Sequence, residues 1–408
     1  MKNVLIIFLV FYSTILNKVY SQWSDVSLGT NSAVVEFYVD SARNLLFVGG
    51  QFSTAGGKNI NSIATWDGSE WNAFGNNEVF SSHGPVSAIV NFNGSIIVGG
   101  DFDSIGMTRV NNIARWNGSS WEPMGDGFDR NVSDLKVYKN ELYATGSFGN
   151  SGSDLVDCCA KWNGIKWVRI SQLIGYGYSF SIYQGKLIIA GSFYHPGIFS
   201  ILNIIGWDGI REDTTFGVFN DAIFKIRNFG DTLFAVGSFT GFSLNPSNYI
   251  SIYYNQSWHS IGYPTGGQNW ILDVLNYNSN IYLCGYFTNP PDLCRYNGSG
   301  FDSVANALGD IQHLIEYKGS LYAGGLFSQI NGENIKNIAR YNDDGNSIDN
   351  NINSNNDNCS IYPNPCYDGK YQIFLNENIN IKTILIEIYS IEGKIIYSSY
   401  FNKINALR

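Results

Sequence analysis

Residues 95–102 read SIIVGGDF and residues 111–121 read NNIARWNGSSW. The first phrase is a short apolar run that ends in two glycines and then a Phe. The second carries two aromatic-bearing runs separated by Asn-Gly. Working outward, the first phrase returns as LLFVGGQF at 45–52, ELYATGSF at 141–148, KLIIAGSF at 186–193, TLFAVGSF at 232–239, NIYLCGYF at 280–287 and SLYAGGLF at 320–327. The glycines two residues before each Phe are Gly50, Gly100, Gly146, Gly191, Gly237, Gly285 and Gly325, spaced by 50, 46, 45, 46, 48 and 40 residues. Self-similarity at that period is the signature of a propeller blade.

The second phrase follows each anchor as NSIATWDGSEW at 61–71 and CCAKWNGIKW at 158–167, with degenerate forms IIGWDG at 204–209, SIYYNQSW at 251–258 and LCRYNGSGF at 293–301. Asp-Gly or Asn-Gly between two such runs predicts a two-residue type I′ hairpin. Each unit therefore supplies four strands, in the second unit near 85–92, 95–102, 111–116 and 120–124. Apolar residues alternate at period two, and no helical period of similar length occurs. Small residues at the glycine pair suit close approach to a neighbouring blade. The seventh unit runs through IARYNDDG, 338–345, without its outer strand, and the missing phrase stands near the N-terminus as WSDVSLG, 23–29. The expected fold is all-β: a seven-bladed β-propeller over residues 22–345, closed by an N-terminal strand, which removes open sheet edges.

The repeat "GGxF…NIAxWDGxxW" resembles the kelch-like propeller units of the fungal cortical-marker Rax2 family and of many bacterial surface proteins. The resemblance implies a fold and leaves activity open, because propellers host unrelated functions.

The ends speak to location. Lys2, the apolar run from Val4 to Phe11 and the small-residue site before Gln22 predict a signal peptide over residues 1–21, removed on export. That run is too short to span a bilayer, and no later one is longer, so no transmembrane span is expected. Residues 346–358 are mostly Asn, Asp, Ser and Ile and read as a linker. Residues 359–408 follow, with CSIYPNPCYDGKYQIFL and a hairpin pattern in IKTILIEIYSIEGKIIYSSYF. The Tyr362-Pro363-Asn364-Pro365 phrase and the later IYSIEGKIIYS run resemble the C-terminal sorting domain of the type IX secretion system. That family's closing "LxxGxYxxxI" strand is missing, so the resemblance is to a partial domain. It implies a small β-sandwich, the type IX machinery as partner, and a secreted or cell-surface protein of an outer-membrane-bearing bacterium.

Charge and motifs narrow the function. The net charge is -9, and the leader holds Lys2 and Lys18 but no acid, so the remainder is more acidic still. That excludes a phosphate-binding footprint, and no nucleic-acid partner is expected. His83, His195, His259 and His313 share no ligand spacing, so neither metal nor other cofactor is expected. No GxSxG elbow, HExxH, phosphate-cradling loop or sialidase box occurs, and no catalytic residue is assigned. Asp67 and Asp208 sit in the Asp-Gly turns. A carboxylate pair assembled by several blades would leave no linear trace. Cys359 and Cys366 bracket the Tyr-Pro-Asn-Pro turn as a candidate disulfide, and Cys284 and Cys294 are a candidate cross-strand disulfide, if their Cα atoms come within about 7 Å. Loops after the Phe anchors offer Tyr194, His195, Phe199 and Phe242 as exposed ligand contacts. The expected protein is a monomeric binding or adhesion module for an extracellular glycan or protein. The alternatives are a carbohydrate-active enzyme with acids from several blades, or a structural surface protein without a ligand.

Overall fold

The computed structural model describes residues 23–341 other than 82–83, 198–199, 244 and 268, together with four strands of the C-terminal segment. The signal peptide, the linker, His83, Phe199 and Cys366 lie outside the described residues. Seven antiparallel sheets follow one another along the chain, each built of four strands, in sequence order in the first six; blade 4 carries a short fifth. In blade 2 these are Val86–Phe92, Ser95–Gly100, Ile113–Trp116 and Trp121–Pro123. The first strands of successive blades touch in a closed circuit, so they are innermost and surround the axis. The molecule is a seven-bladed β-propeller.

Closure occurs as the sequence implies. Trp23–Asp25 pairs antiparallel with Ile338–Tyr341, Trp23 opposite Tyr341, and completes blade 7 as its outer strand. Trp23 also donates its indole N–H to the Val304 carbonyl of blade 6, at 3.2 Å. The same link recurs around the ring: Trp71 to Val26, Trp121 to Gly75, Trp167 to Met124 and Trp258 to Phe216, each reaching the carbonyl of the preceding blade's outer segment. All seven anchor Phe residues are buried, filling the space at the ends of the second strands.

The anchor glycines have a different cause from the one their pattern suggests. A Cβ on Gly50, Gly100, Gly146, Gly191, Gly237, Gly285 or Gly325 would lie 2.0–2.1 Å from a carbonyl oxygen just before or early in the inner strand of the same blade. It is the first glycine of each pair that faces the next blade: a Cβ on Gly99 would meet Val132 Cγ1 at 2.6 Å.

The Asp-Gly turns also differ. Trp66 is opposite Trp71, which leaves a four-residue loop instead of two. Only Gly68 takes positive φ there, at 99°, while Asp67 Oδ1 accepts the Ser69 and Glu70 backbone N–H groups at 2.7 Å. Asp208 does the same for Ile210 and Arg211. Two-residue turns with φ > 0 at both positions join first to second strands in five blades, as at Asn93-Gly94 with φ of 51° and 84°.

Cys284 and Cys294 do not form the cross-strand disulfide. Cys284 lies opposite Leu293 and Cys294 opposite Leu283, so the two side chains leave opposite faces of blade 6. Cys284 packs toward blade 7 and Cys294 toward blade 5, and both thiols are free and buried.

The chain divides into two units after Asp343. In the second, Cys359–Tyr362 pairs with Gln372–Leu375, and Thr383–Tyr389 pairs with Ile395–Asn402 as the hairpin expected there. No helix among the described residues is long and apolar enough to cross a membrane.

Candidate functional site

Every inner strand carries a one-residue register slip at the same height, between Val34 and Glu36 in blade 1 and between Ile311 and His313 in blade 7. The remaining five slips lie between Val86 and Ala88, Val132 and Asp134, Gly177 and Ser179, Ile223 and Lys225, and Ile271 and Asp273. A bulge re-aims the side chain that follows it. Glu36, Ala88, Asp134, Ser179, Lys225, Asp273 and His313 therefore form one ring of positions about the axis.

Three of these side chains bind the next blade. Asp134 Oδ2 accepts the Phe180 N–H at 2.7 Å, Ser179 Oγ the Ile226 N–H at 3.3 Å, and Asp273 Oδ2 the Leu314 N–H at 2.9 Å. Each donor is the residue just past the ring position, where the bulge has disrupted the ladder. Asp273, wholly buried, also takes a two-pronged ion pair from Arg227 of blade 5, at 2.8 and 2.7 Å, and Arg227 donates to the Leu314 carbonyl at 3.0 Å. Blades 5, 6 and 7 are thus stapled at the axis.

Electrostatics shows that the ring converges. Burial pushes the Glu36 carboxyl up to about 7, while Lys225 of blade 5 works in the other direction. Burial disfavours the Lys225 ammonium, but Glu36, Asp273 and Asp134 outweigh it and hold the group charged. Burial and the Lys225 charge push His313 down to about 3, leaving a neutral imidazole. Burial also opposes the Asp273 carboxylate, and Arg227 together with Lys225 and His313 more than compensates. Carboxylates from three blades thus share one channel, a grouping that no linear motif records.

One side of the channel mouth is aromatic. Tyr178 and Phe224 pack with centroids 5.9 Å apart, Phe224 and Trp270 at 5.8 Å, and Trp270 and Tyr286 at 6.3 Å, a crescent over blades 4 to 6. Tyr176 and Trp270 stay 47% and 39% exposed, which leaves ring faces open to solvent. At the bulge positions of Tyr178 and Phe224, blades 1 to 3 carry Val35, Ser87 and Ser133.

The loop residues expected at the site fall elsewhere. Tyr194 is exposed at the end of the second strand of blade 4, and His195 beside it pairs with Glu212. Phe242 is not a surface contact: its hairpin folds inward and buries the ring against Phe219. Of the residues that sequence reading missed, Glu36, Lys225 and Asp273 share one column of the aligned inner strands with His313, a column that is polar in six of the seven blades; Arg227 and Trp270 lie outside it and carry no such signal.

No protein-family model matches this chain, and no curated protein matches it. Among solved structures, the chain is similar to the computationally designed Ika8 protein, with 10% identity over 77% of this chain and 97% of that one and a TM-score of 0.45. It is also similar to the WD40 β-propeller domain of Doa1, with 11% identity over 76% of this chain and 93% of that one and a TM-score of 0.43.

Proposed function

We propose that this protein is a secreted or cell-surface binding module that holds a glycan against the aromatic side of the channel mouth. The observation that carries the reading is the crescent of Tyr178, Phe224, Trp270 and Tyr286, with Trp270 exposed and the others half-buried, above a ring of charged side chains of which Asp273 is wholly buried. Open ring faces stack on the apolar faces of sugars, and a few convergent polar groups fix orientation. Export rests on the leader at residues 1–21 and on the resemblance of residues 359–408 to the type IX sorting domain. A protein ligand that inserts an apolar side chain is the other partner class suited to the same mouth.

A second reading follows from Glu36. A carboxyl whose pKa is raised to about 7, in a channel shared with Asp134 and Asp273, is what a general acid for glycoside hydrolysis needs. Both readings are tested on the same purified protein with a glycan array and a reducing-sugar assay. Binding without product release is the expected result, with affinity lowered about tenfold or more in Trp270→Ala. Product release that disappears in Glu36→Gln would establish the enzyme instead. An array without hits, or hits indifferent to Trp270→Ala, would remove the channel mouth as the site.

A further inference from the structure

The charged groups of the channel ring differ in whether the protein itself satisfies them. Asp134 accepts the Phe180 and Leu135 backbone N–H groups, and Asp273 holds Arg227. Glu36 of blade 1 and Lys225 of blade 5 are half-buried, and among the described residues no hydrogen bond or ion pair reaches either. An ammonium carries three donors and no acceptor, so Lys225 offers a fixed positive charge to whatever fills the channel.

The aromatic crescent adjoins that charge. Phe224 is the extra residue of the blade 5 bulge and Lys225 is the residue after it. The Phe224 ring packs against Trp270 at 5.8 Å, and Trp270 is exposed. A ligand stacked on this shelf therefore lies next to an unpaired ammonium. The same height of the ring is uncharged at Ala88 in blade 2 and Ser179 in blade 4, and His313 in blade 7 is neutral.

We infer, resting on the reading of the channel mouth as a glycan site, that its ligand is an acidic glycan: a uronic acid residue whose ring lies on the Phe224–Trp270 shelf and whose carboxylate pairs with Lys225. A neutral sugar would give the ammonium hydroxyl acceptors alone, whereas a carboxylate makes a charge-assisted bond about twice as strong. A cationic sugar would face Lys225 and Arg227 on one strand, with the Asp273 carboxylate already taken by Arg227. Glu36 completes the site. Its carboxyl, pushed up to about 7 by burial, donates an O–H to the ligand while protonated and repels it once ionised. The charged and titratable groups around Glu36 are Lys225 and Arg227 of blade 5, Asp134 of blade 3, Asp273 of blade 6 and His313 of blade 7. Lys225 and Arg227 are shifted up, and Asp273 and His313 down, away from neutral pH, which leaves Glu36 to set the pH dependence. Affinity is therefore full well below pH 7 and falls as pH rises through it.

The test is isothermal titration calorimetry of the whole chain with trigalacturonic acid, trimannuronic acid and the methyl ester of each, which keeps the rings and removes the charge. At pH 6 at least one acid is expected to bind at least tenfold more tightly than its ester. Its affinity is expected to fall about tenfold between pH 6 and pH 8, as Glu36 ionises. Glu36→Gln is expected to bind the acid equally at both pH values, and Lys225→Met to bind acid and ester alike. If Lys225→Met does not fold, the acid–ester comparison and Glu36→Gln decide the matter. Esters that bind as tightly as the acids, with both lost in Trp270→Ala, would overturn the acidic ligand and leave the glycan reading standing. Acid preference that survives Lys225→Met, or a pH dependence unchanged in Glu36→Gln, overturns the inference as well. So does a chain that binds neither acid nor ester, and the glycan array then decides the glycan reading by itself.

Discussion

At the scale of the residue, the recurrent glycine was legible as a requirement, and only the structure supplies its reason. The anchor glycine pairs with the inner strand next to its bulge, and a carbonyl near the start of that strand lies where a Cβ would stand. Gly146→Ala would place a Cβ 2.1 Å from the Asn131 oxygen, so a strand must shift. A loss of about 1–3 kcal/mol is expected, seen as a lower Tm. Gly164→Ala, in a turn with nothing within 4 Å, provides the comparison: its cost comes from φ alone. Glu36 carries a pH-dependent prediction. Its folded pKa of about 7 exceeds the unfolded value of 4.5, so the folded state holds the proton more tightly. Its contribution to stability is present below about pH 4.5 and is lost as pH rises through 7. Removing the titration with Glu36→Gln is expected to raise stability relative to wild type at pH 8 but not at pH 4.5, by on the order of 2 kcal/mol. His313, held neutral down to about 3, acts with the opposite sign in both proteins and cancels in the comparison. A pH-independent difference in Tm would rule out the raised pKa of Glu36.

At the scale of the element, strand order and strand limits could be read because apolar alternation and turn residues are local. The turns were harder. Asp67 and Asp208 act by accepting backbone N–H groups, a role as compatible with Asp-Gly as the tighter turn that the dipeptide suggests. Register decides the cysteines: one residue of offset puts Cys284 and Cys294 on opposite faces, and a repeat alignment that ends at the strand limit does not resolve one residue. The small hairpins between second and third strands, such as Ser104–Ile105 with Thr108–Arg109, are too short for periodicity to reveal. The inner strands yield the strongest prediction at this scale. Asp273 receives Arg227 and two backbone N–H groups while wholly buried. Asp273→Asn leaves the Arg227 charge without its partner and is expected to cost about 3–5 kcal/mol in chemical denaturation. A loss below about 1 kcal/mol would show that blades 5 to 7 are not held together at the axis.

At the scale of the whole molecule, seven units and an N-terminal closing strand were countable in the sequence, because a repeat that lacks its last phrase at one end carries it at the other. The channel was not countable. Glu36, Asp134, Lys225 and Asp273 are far apart along the chain and meet only when the ring is complete. The aromatic crescent arises in the same way, in part from a bulge position that is aromatic in blades 4 and 5 alone. Both sites depend on closure, and closure rests on a three-residue strand whose Trp23 is buried between blades 6 and 7. The most direct test is the melting curve of a chain lacking residues 23–29, followed by circular dichroism and by Trp fluorescence. Loss of the single cooperative transition, or of soluble protein, is the expected result. A melting curve that superimposes on that of the intact protein would contradict the closed ring.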